Sequence, residues 1–189
     1  MQALKLCIFL DWHPFSGSPE TQDYIPLAVH PSTSYIVMQS SHPSSLQICS
    51  SLTSDLISEL EVAPSNRVSR RDETPIEPAR VSHAVICRGF STPGAIPGEW
   101  MATVDYRDGG DEFGSDVTLK IWRWEGTQFV LNTRIDRPHG KGRVTSVSFN
   151  PASVDTSSCI LVTTGDNGFV RTWKVTSAFD KKGNEEGDI

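Results

Sequence analysis

The residue types that could support nucleophilic catalysis are scattered along this sequence. The histidines fall on separate predicted strands and turns: His13, His30, His42, His83 and His139. Residues 16–18 (Ser-Gly-Ser) lack the spacing of a nucleophile elbow, and no glycine-rich phosphate-binding loop occurs. Catalysis requires a nucleophile beside a base, or clustered carboxylates. We therefore predict a protein that is not an enzyme, with no small-molecule substrate and no cofactor.

Two other residue sets could bind metal ions, but neither has the spacing of a ligand set. The four cysteines are far apart and include no CxxC pair: Cys7, Cys49, Cys87 and Cys159. This spacing favours neither a zinc site nor a disulfide scaffold, and it fits a reducing compartment. An acidic stretch lacks the spacing of a calcium loop: Asp105, Asp108, Asp111, Glu112 and Asp116. It could contact a cation or a basic partner, but a solvated and partly disordered loop is the preferred interpretation.

The charge distribution bears on nucleic-acid binding. The formal net charge is −6, so the summed field repels RNA and DNA. One basic cluster precedes the second repeat described below: Arg67, Arg70, Arg71 and Arg80. A second cluster flanks His139: Arg134, Arg137, Lys141 and Arg143. Either cluster could meet RNA phosphates, because phosphate contacts depend on local charge. Ordinary solvating charge is the preferred interpretation of both clusters. Residues 4–10 are apolar apart from Lys5, and the segment is too short to span a membrane.

The elements that would position these residues are predicted to be strands. Short apolar runs alternate with clusters of serine, threonine, glycine and proline, a pattern typical of short strands joined by turns. Three stretches align with one another, at residues 24–62, 80–135 and 143–175. Each has an alternating strand, a more continuously apolar strand, a turn and another alternating strand. Residues 1–23 form an uncertain N-terminal segment, and residues 176–189 form a polar tail.

The repeated order is that of the strands in a propeller blade, with outer strands predicted at residues 56–62 and 128–135. Strands between adjacent blades are apolar on both faces, and the run beginning at Cys159 fits that pattern. Strict alternation predicts that Val144 and its alternate neighbours point inward. Phe129, Leu131 and Thr133 are predicted to share one face. The turn after the second strand of the middle stretch is expected to span residues 106–117.

The third stretch resembles the WD-repeat family, which implies an all-β, WD-repeat β-propeller fold. The chain would form a partial propeller of about two and a half four-stranded antiparallel blades. Family members join a tryptophan, an acidic turn residue, a loop histidine and a strand serine or threonine by hydrogen bonds. By this resemblance Trp122 and Trp173 match the tryptophan, His139 matches the histidine, and Asn167 holds the acidic position beside Asp166. In the first stretch, the tryptophan position holds a cysteine.

A narrower resemblance concerns the ordered segments at residues 99–105, 118–122 and 129–135. They resemble the tandem-propeller WD-repeat proteins of the small-subunit processome, which act on the ribosomal RNA precursor. The resemblance implies a scaffold in ribosome biogenesis, located in the nucleus and nucleolus, with processome proteins and pre-ribosomal RNA as partners and no membrane association. A generic WD-repeat adaptor in ubiquitin ligation, trafficking or chromatin is the alternative.

The predicted number of blades is too small for a closed ring, which needs about four to eight. We therefore expect the chain to be a fragment of a longer product, or to be completed by another chain. Open inner strands expose backbone hydrogen-bonding groups and apolar side chains. Poor solubility is the expected consequence when the chain is expressed alone.

Overall fold

The computed structural model describes residues 25–64, 78–88, 97–107, 116–150 and 159–174. Within these ranges the regular elements are all strands, which confirms the predicted all-β class. They are β1 (Leu27–Val29), β2 (Tyr35–Gln39), β3 (Ser45–Ser50), β4 (Leu56–Glu61), β5 (Arg80–Ile86), β6 (Trp100–Arg107), β7 (Asp116–Trp124), β8 (Phe129–Asp136), β9 (Val144–Phe149), β10 (Ile160–Gly165) and β11 (Val170–Lys174). Among the described residues, no helix is long and apolar enough to cross a membrane. The predicted N-terminal segment and polar tail lie outside the described ranges.

The strands form three separate antiparallel sheets in which strands adjacent in the chain are also paired. The first sheet has the order β1-β2-β3-β4, the middle sheet β5-β6-β7-β8, and the third sheet β11-β10-β9. One apolar cluster joins the first and middle sheets and contains Leu46, Met101 and Trp122. Another joins the middle and third sheets and contains Leu119 and Leu161. The middle sheet is therefore covered on both faces.

Strand β6, one of the two inner strands of the middle sheet, shows why its sequence does not alternate. From Met101 to Asp105 every residue of β6 is buried. Met101 packs in the cluster shared with the first sheet, whereas Ala102 and Val104 pack in the cluster shared with the third. A strand buried on both faces presents neither face to solvent, because alternate side chains point to opposite sides and both sides are covered.

Strand β10 departs from its predicted burial. Its apolar run was predicted to be buried on both faces, but Leu161 is fully buried whereas Ile160 and Val162 are only half-buried. The described residues place a sheet against one face of β10 only. On the neighbouring strand Val144 is buried, as predicted, but strict alternation is not observed, because Val147 is also buried and its position has the opposite parity. A bulge opposite the Thr164/Gly165 step inserts one extra residue and changes the face.

The outer strand β8 also carries a bulge that overturns its predicted face. Phe129 is buried, but Leu131 and Thr133 are exposed. The register shifts between Ile121 and Trp122, so Thr133 pairs with Ile121 while Leu131 pairs with Trp122. Thr133 therefore leaves the face that begins at Phe129. The turn expected at residues 106–117 is shorter than predicted, because β6 continues to Arg107 and β7 begins at Asp116.

A buried histidine in the loop after β1 packs against the middle sheet. The ring of His30 lies with its centroid 4.8 Å from the ring of Trp124. The hydroxyl of Ser32 donates to the carbonyl oxygen of Pro97 across the same contact. Gly98 has a φ of +85°, and a Cβ there would lie 2.5 Å from the His30 ring. Glycine is required at this point both by the backbone conformation and by the approach of the ring.

Candidate functional site

Each interface between sheets contains a tryptophan bonded to a buried threonine. Trp122 on β7 donates its indole N–H to the Thr103 hydroxyl oxygen on β6, at 2.8 Å. Trp173 on β11 donates in the same way to the Thr163 hydroxyl oxygen on β10, at 2.9 Å. Both threonines are fully buried. These bonds satisfy the one polar group of each indole inside an otherwise apolar contact.

The two pairs share one register, which becomes visible only once the strands are paired. Trp122 is opposite Met101, and its threonine lies two residues further along β6. Trp173 is opposite Leu161, and its threonine again lies two residues further along. Neither threonine was singled out from sequence, although both tryptophans were. In the first sheet Cys49 is opposite Ile36, so this sheet has neither the indole nor the hydroxyl at these positions.

At the second interface, His139 joins the Trp173–Thr163 pair. Its Nε2 lies 2.9 Å from the Thr163 hydroxyl oxygen, and the residue is only 2% exposed. Asn167 in the β10–β11 turn donates from Nδ2 to the carbonyl oxygen of His139, at 2.9 Å. The side-chain oxygen of Asn167 accepts the backbone N–H of Phe169 at 3.1 Å. The structure thus joins His139 and Trp173 through this threonine, and Asn167 is attached to the same set through the carbonyl oxygen of His139.

Asp166 contributes mainly through its backbone and its position. Its N–H donates to the carbonyl oxygen of Arg143, at 3.0 Å, which ties the β10–β11 turn to the loop before β9. Its side chain is exposed to solvent and lies against Gly142, where a Cβ would come within 2.3 Å of the carboxylate oxygen. Among the described residues, no hydrogen bond joins the Asp166 side chain to Thr163 or to Trp173.

At the first interface an ion pair occupies the place that His139 has at the second. Lys120 lies opposite Thr103 and donates from Nζ to Asp105 at 2.7 Å and to the carbonyl oxygen of Val62 at 2.6 Å. Asp105 lies two residues beyond Thr103, and Gly165 lies two residues beyond Thr163. A Cβ on Gly165 would approach the His139 ring to 2.6 Å. Glycine makes room for the histidine ring at one interface, while the other is filled by a carboxylate and its ammonium partner.

The position of Asp105 corrects its predicted role in an acidic loop. It is 6% exposed, within β6, and its partner Lys120 is 5% exposed. Burial raises the pKa of Asp105, although the attraction of Lys120 opposes this rise. Asp116 begins β7, and the other three acidic residues lie outside the described ranges. Asp105 is therefore a structural ion-pair partner of Lys120 within the middle sheet, buried at the interface with the first sheet.

The second predicted basic cluster surrounds the loop between β8 and β9. Arg134 is exposed and donates from Nε to Asp136 at 2.8 Å, which raises the pKa of this guanidinium. The Arg143 guanidinium lies 5.6 Å from the centroid of the Tyr106 ring. Arg137 and Lys141 are both exposed, and neither forms an ion pair with a described residue. In the other basic cluster Arg80 lies on β5, and the remaining arginines lie outside the described ranges.

The described residues hold no arrangement that resembles a catalytic centre. Each serine–histidine contact joins residues one or two positions apart, as in His83 Nδ1 to Ser82 Oγ at 2.9 Å. Ser82 at the same time donates its hydroxyl hydrogen to the carbonyl oxygen of Val104. Within the described ranges, no group of three histidine, cysteine or acidic side chains could hold a metal ion. The hydroxyl of Ser82 is therefore bonded to the backbone of the neighbouring strand β6 as well as to the adjacent histidine.

We predict that acidification destabilises the fold through its buried imidazoles. Burial is the main cause that lowers the pKa of His30, His83 and His139 below 6.5, and the charge of Arg171 lowers that of His139 further. The folded state then favours neutral imidazole. The buried neutral imidazoles contribute their full stability above the pKa that histidine has in the unfolded state. This contribution is lost as pH falls through the lower pKa values of the folded state. The urea midpoint should therefore fall between about pH 7 and about pH 5.

His139→Gln provides the control for this pH dependence. Glutamine keeps a hydrogen-bonding side chain but cannot titrate, so its urea midpoint should fall less steeply than that of the parent chain. The difference between the two slopes also cancels the opposite contribution of Asp105, which is present in both proteins. Equal slopes would show that His139 is not a source of the acid sensitivity.

Antiparallel sheets stacked face to face in chain order, with a Trp–Thr bond at each interface, define a partial WD-repeat β-propeller. The family model for the second β-propeller of WD repeat-containing protein 75 matches residues 27–187, and the chain belongs to this family. WD repeat-containing protein 75 of Xenopus laevis is 34% identical over 87 residues, which are 44% of this chain and 10% of the relative. The chain therefore matches about a tenth of the length of that relative.

Proposed function

We propose that this chain is a non-enzymatic scaffold segment in ribosome biogenesis, which helps to assemble the small-subunit processome on the ribosomal RNA precursor in the nucleolus. The observation that carries the proposal is the family match over residues 27–187, which covers most of the chain. The partners that we propose are other processome proteins and pre-ribosomal RNA. The proposal includes neither a small-molecule substrate nor a membrane.

The packing of the described residues supports a scaffold function. The polar groups with the strongest structural constraints, Lys120, Thr163 and His139, are buried between sheets and bond to protein groups. Lys120 bonds across to the segment after β4, and Thr163 bonds to the β8–β9 loop, so these groups connect parts of the framework and leave the edges and loops of the sheets to meet partners. A rigid framework that carries exposed loops is a common way for a fold without a catalytic site to present binding surfaces.

Affinity purification of the tagged chain from cells, with both proteins and RNA scored, tests this function. Recovery of processome subunits together with pre-ribosomal RNA is the expected result. Recovery of ubiquitin-ligase, coat or chromatin subunits without that RNA would support the generic adaptor instead and would exclude the proposed function. Fluorescence microscopy of the same tagged chain should show nucleolar enrichment.

The β8–β9 loop is the segment that we propose contacts RNA phosphates. Arg134 is already paired with Asp136, and Arg143 stacks against Tyr106, so Arg137 and Lys141 are the cations most available to phosphate. Replacing both, as Arg137→Gln and Lys141→Gln, should reduce ultraviolet crosslinking of the tagged chain to pre-ribosomal RNA roughly tenfold. Glutamine removes the charges while keeping polar side chains at both exposed positions.

Arg123→Gln is the matched control for this loss of crosslinking. Arg123 lies opposite Val130 at the other end of β8, and it pairs with Glu99 at 3.2 Å. Its replacement removes one surface cation without changing the loop. If the double loop variant crosslinks as strongly as the parent chain, or if Arg123→Gln loses as much, the loop does not contact RNA. The protein partners recovered with each variant should stay the same.

A further inference from the structure

Two cysteines that are distant in sequence meet between the middle and third sheets. Cys87 follows β5, and Cys159 precedes β10, 72 positions later in the chain. Their sulfur atoms are 3.8 Å apart, and the two residues are 3% and 4% exposed. The N–H of Cys87 donates to the carbonyl oxygen of Trp100, and its own carbonyl oxygen accepts the N–H of Gly98. The backbone of Cys87 is therefore held against the end of β6.

We propose that Cys87 and Cys159 form a disulfide that links the middle and third sheets when the protein is exposed to a hydroperoxide. A disulfide has a sulfur–sulfur distance of about 2.0 Å, so the two sulfur atoms must approach by roughly 1.8 Å. Rotation about the Cα–Cβ bonds moves sulfur atoms over that range. Sequence spacing gave no indication of this pair, because only the packing of two sheets brings it together.

The reaction balances with hydrogen peroxide as the oxidant. The thiolate of one cysteine attacks the peroxide O–O bond, which breaks to give a sulfenic acid and, after protonation, water. The second sulfur then attacks the sulfenic sulfur, and hydroxide leaves and takes up the second thiol proton as water. Two thiols lose two electrons in total, and one peroxide becomes two waters. The adjacent thiol intercepts the sulfenic acid before a second peroxide can oxidise it further.

The surroundings of the pair set the conditions of the reaction. The hydrogen bond with Cys87 and burial both raise the pKa of Cys159 above its ordinary value. Since the thiolate is the nucleophile, the reaction should be slow near neutral pH and should become faster as pH rises. The pair would therefore respond to sustained oxidant exposure and remain reduced in an ordinary reducing compartment.

Peptide mapping of the full chain after peroxide treatment tests the proposal. Acid quenching, alkylation with N-ethylmaleimide and tryptic digestion without reductant would place the two cysteines on separate peptides, residues 81–88 and 144–171. The expected product joins these two peptides, and dithiothreitol should separate them. Mixing unlabelled with ¹⁵N-labelled chains before oxidation should give no hybrid mass. Hybrid masses, or sulfinic acids without a joined peptide, would overturn the proposal.

Cys49 provides the matched control. It lies on β3 and is half-buried, and in the folded chain it should be recovered alkylated. Cys49→Ser should leave the joined peptide unchanged, whereas Cys87→Ser should abolish it. In 8 M urea, where the sheets separate, the same oxidant should give mixed pairs. Oxidation of the folded parent chain should also raise its urea midpoint reversibly, and an unchanged midpoint would refute the linkage between sheets.

Discussion

Replacing Lys120 by methionine should lower the free energy of unfolding by about 3–5 kcal/mol, because it leaves a buried carboxylate without its partner. The ammonium group of Lys120 bonds at once to Asp105 on its own sheet and to the Val62 carbonyl oxygen beside the first sheet. Methionine is similar in length but offers no donor to either oxygen. Urea unfolding followed by tryptophan fluorescence measures the loss.

The double variant Lys120→Met/Asp105→Leu distinguishes charge burial from loss of packing. With both charges removed, only the Val62 carbonyl oxygen loses its donor, which costs about 1–3 kcal/mol. The double variant should therefore be more stable than Lys120→Met alone. If the loss of stability in the double variant equals the sum of the losses in Lys120→Met and Asp105→Leu, the ion pair is not the source of the effect.

Thr163→Val should lower the free energy of unfolding by about 2–3 kcal/mol, since one hydroxyl serves two partners. Valine matches threonine in shape but leaves the Trp173 indole N–H and the His139 Nε2 atom without their shared bond. Thr103→Val removes only the Trp122 bond, so its loss should be smaller, at about 1–2 kcal/mol. Both losses are read from the shift of the urea midpoint.

Thr145→Val is the matched control for these threonine variants. Thr145 on β9 shares a hydroxyl hydrogen bond of 2.8 Å with Thr164, but that bond is exposed to solvent. Water can replace this bond, so the free energy of unfolding should change by less than about 0.5 kcal/mol. If Thr145→Val lowers the free energy of unfolding as much as Thr163→Val, the buried hydrogen bonds do not stabilise the fold more than an exposed one, and the assignment of Thr163 as the centre of the network is wrong.

Sequence patterns predicted the strands well because each strand and its turns leave a local signal. The alternation of β8 and the apolar run of β6 are readable within eight residues. Bulges are different, since the extra residue opposite the Thr164/Gly165 step is defined by pairing with another strand. The face predicted for β8 and the strict alternation predicted for β9 failed for this reason, and no local pattern in either strand contains the information.

The candidate site was partly readable for a related reason. The tryptophans stand out by type, but Thr103 and Thr163 are recognisable only once strand register shows which residue lies opposite each indole. Lys120 in a strand would ordinarily be taken for a solvent-facing residue. Its burial follows from a carboxylate 15 positions away and a carbonyl group 58 positions away. Such contacts exist only after the sheets have packed.

Because the middle sheet is covered on both faces, the fold should open from its outer sheets first. The third sheet can detach while the first interface, with Lys120 and Trp122, stays intact, and the first sheet can detach while the Thr163 bonds stay intact. Exposing β6 and β7 requires loss of a whole neighbouring layer. Amide hydrogens of these two strands should therefore exchange with solvent most slowly, and protection should decline outward through successive layers.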